Sequence, residues 1–278
     1  MTGGIIFAGV APHPPLLVPE VGGERLEAVA NSRRALINLA TRMMQSAPEV
    51  LVLISPHSPT DLSSFLARST PKLSGDFREF NARQVSLTFE NDLAFLDAIR
   101  RAAEDENLRV GDLAGFQPLD HGAMVPLYYL AEAGWSGPIV VLSFTYQSNE
   151  SHVRFGRAIR NAAQRTERRV ALIASGDLSH RLKIDGPYQF EPTAHLFDEQ
   201  VVAAIAGLNP SGVLNIDPDL KDRAGECGYR SIIIALGATD DRPPQFEVLS
   251  YEGPFGVGYM VADLMTRLTL PETRVNNE

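Results

Sequence analysis

Five short apolar runs, each bounded by proline, glycine or charged residues, constrain this chain more than any other feature. They are GIIFAGVA (4–11), EVLVLISP (49–56), GPIVVLSFT (137–145), RRVALIASGD (168–177) and QFEVLSYEG (245–253). Near-continuous hydrophobicity rich in Val and Ile fits strands buried on both faces, not the alternation of a half-exposed sheet. Segments of helical period lie between and after them, at 23–46, 90–106, 121–134, 151–166, 193–207 and 227–239. The first carries Leu26, Val29, Leu36, Leu39 and Met43 along one face. This alternation predicts an α/β chain, a three-layer α/β/α arrangement around a central mixed, largely parallel sheet. The polar stretch 68–84 and the QVSLTF after it read as an extra hairpin or an excursion at the sheet edge. No linker or low-complexity block interrupts the sequence, so one domain over 1–270 is expected, with 271–278 as a frayed tail.

Charge narrows the partners. Thirty-four acidic residues against 25 Lys and Arg leave a net charge of −9, which argues against nucleic acid and anionic membrane surfaces. The single cysteine, Cys227, cannot form an intramolecular disulfide, and a reducing compartment is expected. The opening MTGGIIFAGVAPHPPLLVPE has no basic flank and is broken by prolines, so neither a signal peptide nor a membrane helix is expected there. The expected location is the cytoplasm.

Two of the apolar runs end alike, in APHPP and SPHSP, placing His13 and His57 between prolines at strand exits. Ligands of open α/β sheets gather at the carboxyl ends of strands. Proline stiffens the backbone on either side, so each imidazole is oriented before a metal arrives. One such histidine reads as an ordinary loop residue; two in matched settings read as a converging pair of ligands. Imidazole suits Fe, Zn and Cu alike, so the pair does not choose the metal. A third ligand is sought in AGECGYR, where Glu226 and Cys227 stand between glycines before an apolar helix. Glu226 reads either as an acid favoured by the helix dipole or as a side chain aimed into a site by tight backbone approach. Cys227 reads first as a small packed residue, with a ligand role open.

LIASGDLSHRL delivers His180 at another strand exit, with Asp177 placed to orient an imidazole or close the turn. A histidine beside a metal can exchange protons near neutral pH. In QPLDHGAMVPLYYL, Asp120 reads as a helix cap and His121 as a group within reach of an anionic ligand. Arg181, Arg223 and Arg230 either hold a substrate carboxylate or pair with DPDLKD; Asp120 and Tyr188 are further candidate substrate contacts. His152 and His195, near helix starts among charged residues, are expected at the surface.

Taken in order, APHPPLLVPE, LISPHSP, LDHGAMVPLYYL, SGDLSHRL and AGECGYRSIIIALGA resemble the catalytic subunits of class III extradiol ring-cleavage dioxygenases, the LigB-like superfamily. The resemblance runs from about residue 4 to 262. It implies Fe(II) held by His13, His57 and Glu226, His180 as acid/base and His121 in the substrate pocket. The implied reaction opens a catechol-type or aminophenol-type ring with O2. The implied partners are a small aromatic and O2, in a homo-oligomer, with a small accessory subunit in some relatives. Memo-like proteins share the scaffold but place a cysteine near the glutamate's ligand position, so a metal protein without ring cleavage is an alternative centred on Cys227. A Zn-dependent hydrolase is another, since two histidines and a glutamate also suit zinc. A binding protein with a vestigial site is the third.

Overall fold

A computed structural model describes residues 3–266 except 114 and 116; the expected tail at 271–278 lies outside the described residues. In chain order, β1 (Gly4–Ala11), α1 (Pro19–Gly22), α2 (Ala30–Gln45), β2 (Val50–Ile54) and β3 (Phe65–Ala67) lead to a hairpin, β4 (Lys72–Phe77) and β5 (Ala82–Glu90). Then come α3 (Leu93–Asp105), β6 (Val110–Asp112), α4 (His121–Glu132), β7 (Ile139–Leu142), α5 (Asn149–Arg165) and β8 (Arg169–Ser175). The last part holds α6 (Ala194–Ala206), α7 (Pro210–Leu214), α8 (Pro218–Ala224), α9 (Tyr229–Ala238), β9 (Glu247–Glu252) and β10 (Tyr259–Asp263).

The main sheet runs β6-β3-β7-β2-β8-β1-β10-β9, and its four central strands β7, β2, β8 and β1 are parallel. Antiparallel β10 and β9 extend one side, while β3 pairs antiparallel to β7 and carries β6 on the other. Each central strand is buried on both faces. Val50, Val52, Ile54, Val170 and Leu172 face a layer built from α3, α5 and α9. Leu51, Leu53 and Ile173 between them face α2, α4 and the hairpin. Each such side chain contributes about 1.5–3 kcal/mol of burial, and with no polar face available the runs cannot alternate. This is the mixed, largely parallel three-layer arrangement expected from the sequence.

Of the two readings of residues 68–84 with QVSLTF, the hairpin holds: β4–β5 form a separate two-stranded sheet packed by α4, not an excursion of the main sheet's edge. One feature differs from the sequence reading. β3, β6 and β10 were not foreseen: three-residue strands leave no period to read, and β10 is held by pairing to β1.

Candidate metal centre

The parallel core puts the carboxyl ends of β1, β2 and β8 side by side, and His13, His57 and Asp177 follow those ends directly. Two helix N-termini close over them. α4 begins at His121, capped by Asp120, whose carboxylate accepts from the Ala123 N–H. α9 begins just after Glu226 and Cys227. Its start is pressed onto the exit of β8: the Gly228 N–H donates to the Asp177 carbonyl (2.9 Å), and a Cβ on Gly176 would stand 2.1 Å from the Gly228 Cα. No side chain fits at residue 176, which explains glycine in both motifs.

The two histidines of the Pro-His motifs converge. Their Nε2 atoms lie 2.9 Å apart and the rings meet edge to face. The His57 and His121 ring centroids are 4.1 Å apart. Among the described residues, two groups of three bring ligand atoms within 4.8 Å of one another: His13, His57 and His121; and His13, Asp177 and Cys227. The Cys227 Sγ is 3.5 Å from the His13 Nε2, and an Asp177 carboxylate oxygen is 3.7 Å from the same atom. Asp177 is tied to His13 rather than to His180, accepting from the His13 backbone N–H at 2.9 Å. The His13 Nδ1 lies 2.9 Å from the Ser175 hydroxyl oxygen.

Glu226 belongs to neither group. Its side chain is buried, accepts from the Tyr229 N–H (2.6 Å) and faces Arg230 at 3.9 Å. Glu226 stands two residues ahead of the α9 N-cap, Gly228, outside the first turn, and its carboxylate folds back onto the helix N-terminus at Tyr229, while the tight backbone approach brings its neighbour Cys227 beside His13. His180 stacks on Tyr188 with centroids 4.9 Å apart, and its buried Nε2 has no hydrogen-bond partner. Arg230 lies over the rings of Phe144 and Tyr146 at 5.4 and 5.0 Å. Arg223 is exposed on α8 and donates to the Asp219 backbone carbonyl, lining a shallow surface pocket with Asp217, Asp219 and Asp222. His195 is exposed as expected. His152 corrects the sequence reading: it is fully buried, its ring nitrogens 2.8 and 3.1 Å from the Ser148 and Thr145 carbonyls. Its spacing to Phe155 and Ile159 puts it on the apolar face of α5, a signal outweighed in the sequence by charged neighbours.

The residues supporting Asp120 had no sequence signal as a set. Its carboxylate accepts from Ser55 (2.5 Å), Ser58 (2.8 Å) and the buried Arg68 (3.1 Å). Burial alone would raise its pKa; those donors and the Arg68 charge outweigh it and hold the group ionised. Arg68 follows β3, so its meeting with Asp120 depends on a strand the sequence does not announce. A cleft of about 750 Å³ opens here, with His57, Asp120, His121, Arg68 and the hairpin's Phe80 in its walls.

Electrostatically the centre is poor in charge. Burial, then the neighbouring histidines, lowers His13 well below its ordinary range; burial lowers His57 and takes His121 and His180 to about 4. Burial raises Asp177 to about 7 and pushes the Cys227 thiol well up. Neutral imidazoles, a thiol and a carboxyl raised to about 7, in two groups that share His13, form a donor set that a cation would complete, since its charge draws protons off thiol and carboxyl. The residues present therefore fit a metal ion.

Comparison with known proteins shows the family and the fold. The family model described as the catalytic LigB subunit of aromatic ring-opening dioxygenase matches residues 8–262, and the chain belongs to the LigB family. It is 34% identical over 264 residues to Protein CA_C1420 of Clostridium acetobutylicum, covering 91% of this chain and 56% of that protein. The chain thus spans about half the length of that curated relative. It shares its fold with an uncharacterized protein, JW3007 of Escherichia coli K12, at TM-score 0.60 and 18% identity, over 93% of this chain and 98% of that one. No helix among the described residues is long and apolar enough to cross a membrane.

Proposed function

We propose that this chain is a LigB-scaffold metalloprotein whose mononuclear centre is built around His13, the residue common to both groups, with Cys227 and Asp177 on one side and His57 and His121 on the other, and which acts on a small hydroxylated ligand in the adjoining cleft. The observation that carries this reading is the Cys227 Sγ at 3.5 Å from the His13 Nε2, while the Glu226 carboxylate is engaged by the Tyr229 N–H and faces Arg230. A thiolate among imidazoles suits Cu, Zn or Fe. The bound ion supplies Lewis acidity and, if redox-active, one-electron chemistry with O2. The chain supplies orientation: the Asp120 network seats His121 in the cleft wall, and Phe80 stands edge-on to it at 5.6 Å. Both His121 and His180 are neutral at pH 7, each with capacity to take a proton from a ligand hydroxyl.

A second reading is supported by the family description, an aromatic ring-opening dioxygenase subunit: the roles implied by the resemblance then apply, Fe(II)-dependent extradiol cleavage of a catechol or aminophenol with His180 as acid/base, His121 in the substrate pocket and Glu226 as the third ligand. The two readings separate by mutation. Cys227→Ser is expected to weaken binding of Fe(II), Zn(II) or Cu(I) by at least the ~10–100-fold seen even for outer-shell losses, and Glu226→Gln to leave it within about threefold. The reverse ranking would return the site to two histidines and a glutamate. O2 uptake by anaerobically Fe(II)-loaded protein over a catechol panel, followed with the absorbance of ring-opened product, then decides whether rings are cleaved.

A further inference from the structure

His13 has its Nδ1 against a serine, and that serine is itself pinned by a helix with a proline inside it. Pro126 lies in the interior of α4. Lacking an N–H, it leaves the carbonyl four residues earlier, that of Gly122, without its helical partner. The Ser175 hydroxyl lies 2.5 Å from that Gly122 carbonyl oxygen and 2.9 Å from the His13 Nδ1. Residue 122 must be glycine for this approach, because a Cβ there would stand 2.6 Å from the Ser55 Oγ and 3.1 Å from the His57 Cδ2.

We propose that Ser175 is a positioning residue that fixes the tautomer of His13, and that Pro126 frees the carbonyl that orients it; the purpose of this lock rests on His13 being a metal ligand. A hydroxyl has one hydrogen and two lone pairs, whereas a carbonyl oxygen only accepts. At 2.5 Å the hydroxyl hydrogen points at Gly122, so towards His13 the same oxygen accepts, and the imidazole hydrogen sits on Nδ1. A neutral imidazole with Nδ1–H has a bare Nε2 lone pair, and Nε2 is the atom facing His57 and Cys227. Metal-binding histidines generally donate their second nitrogen to an oxygen that fixes the ring. Here that oxygen is a buried serine at the end of β8, and its proton is held by the first turn of α4.

The test is a histidine 15N–1H long-range correlation spectrum of the metal-free protein, which distinguishes the two tautomers, combined with Zn(II) affinity by chelator competition. The wild type is expected to show His13 as Nδ1–H, and that pattern is expected to persist on adding Zn(II). Ser175→Ala is expected to lose the single-tautomer pattern of His13 and to raise the Zn(II) Kd about 10–100-fold. Ser175→Thr, which keeps a hydroxyl, is expected to restore both. His13 as Nε2–H in the wild type overturns the proposal, as does a Ser175→Ala protein that is less stable but keeps the Nδ1–H pattern and the wild-type Kd. Should Ser175→Ala fail to fold, the wild-type spectrum alone decides. A wild type that takes up no metal would overturn the metal reading of the site, while the spectrum would still decide the lock.

Discussion

Glu226 and Cys227 are adjacent in the chain, yet their side chains separate just ahead of α9, one to the helix N-terminus and Arg230, the other to His13. Residue type made either a plausible ligand; the choice came from which way each Cα–Cβ bond points once Gly228 is locked against Gly176. Asp198 shows the same dependence on surroundings. It is buried on α6, where it accepts from the Ser179 N–H (2.8 Å) and the Tyr251 hydroxyl (2.7 Å), tying the segment that leads to His180 to β9. Burial raises its pKa from 3.8 to about 7, against those two hydrogen bonds. An acid with a folded pKa above its unfolded one adds stability that is whole below about pH 4 and lost as pH rises through about 7. Asp198→Asn should therefore flatten the fall in unfolding free energy between those limits by up to about 1.4 kcal/mol per pH unit. Urea titrations at several pH values measure this, and an unchanged slope would remove Asp198 as a source.

At the scale of elements, the strand runs and helix periods were legible because burial on both faces leaves a strand no freedom to alternate. β1, β2, β7, β8 and β9 all fall inside the runs quoted from the sequence, and each of the six helical segments contains a helix. The junction between β8 and α9 was only half legible. Glycines announced a close approach but not what approached. Gly176→Ala would place a methyl 2.1 Å from the Gly228 Cα, backbone that cannot rotate away. The expected cost is about 3 kcal/mol or more, together with weakened metal binding as Cys227 is displaced. Denaturant unfolding and metal competition on one variant check both, and wild-type values in the two would show the junction to be slack.

For the molecule as a whole, a centre assembled from β1, β2 and α9 exists only when the sheet and both helical layers are in place. A metal bound there stabilises the native state alone, by about 2.7 kcal/mol at a hundredfold excess over Kd. In a chain of this length that corresponds to a rise in Tm of roughly 5–10 °C. Chelator-treated protein should melt lower by that amount and recover on metal addition, and the recovery should be lost in Cys227→Ser. A Tm indifferent to every metal tried would refute a folded-state metal centre.

The sequence alone determined the layers, the strand exits and the pair His13 and His57, because hydrophobic runs and proline-flanked histidines are local facts about the chain. Tertiary structure decided the rest: Cys227 rather than Glu226 beside His13, Asp177 against His13 rather than His180, Arg68 on Asp120, and Ser175 between Gly122 and His13. Those are meetings between residues 50 to more than 200 positions apart. They depend on side-chain direction within a packed interior, which the order of residues along the chain does not display.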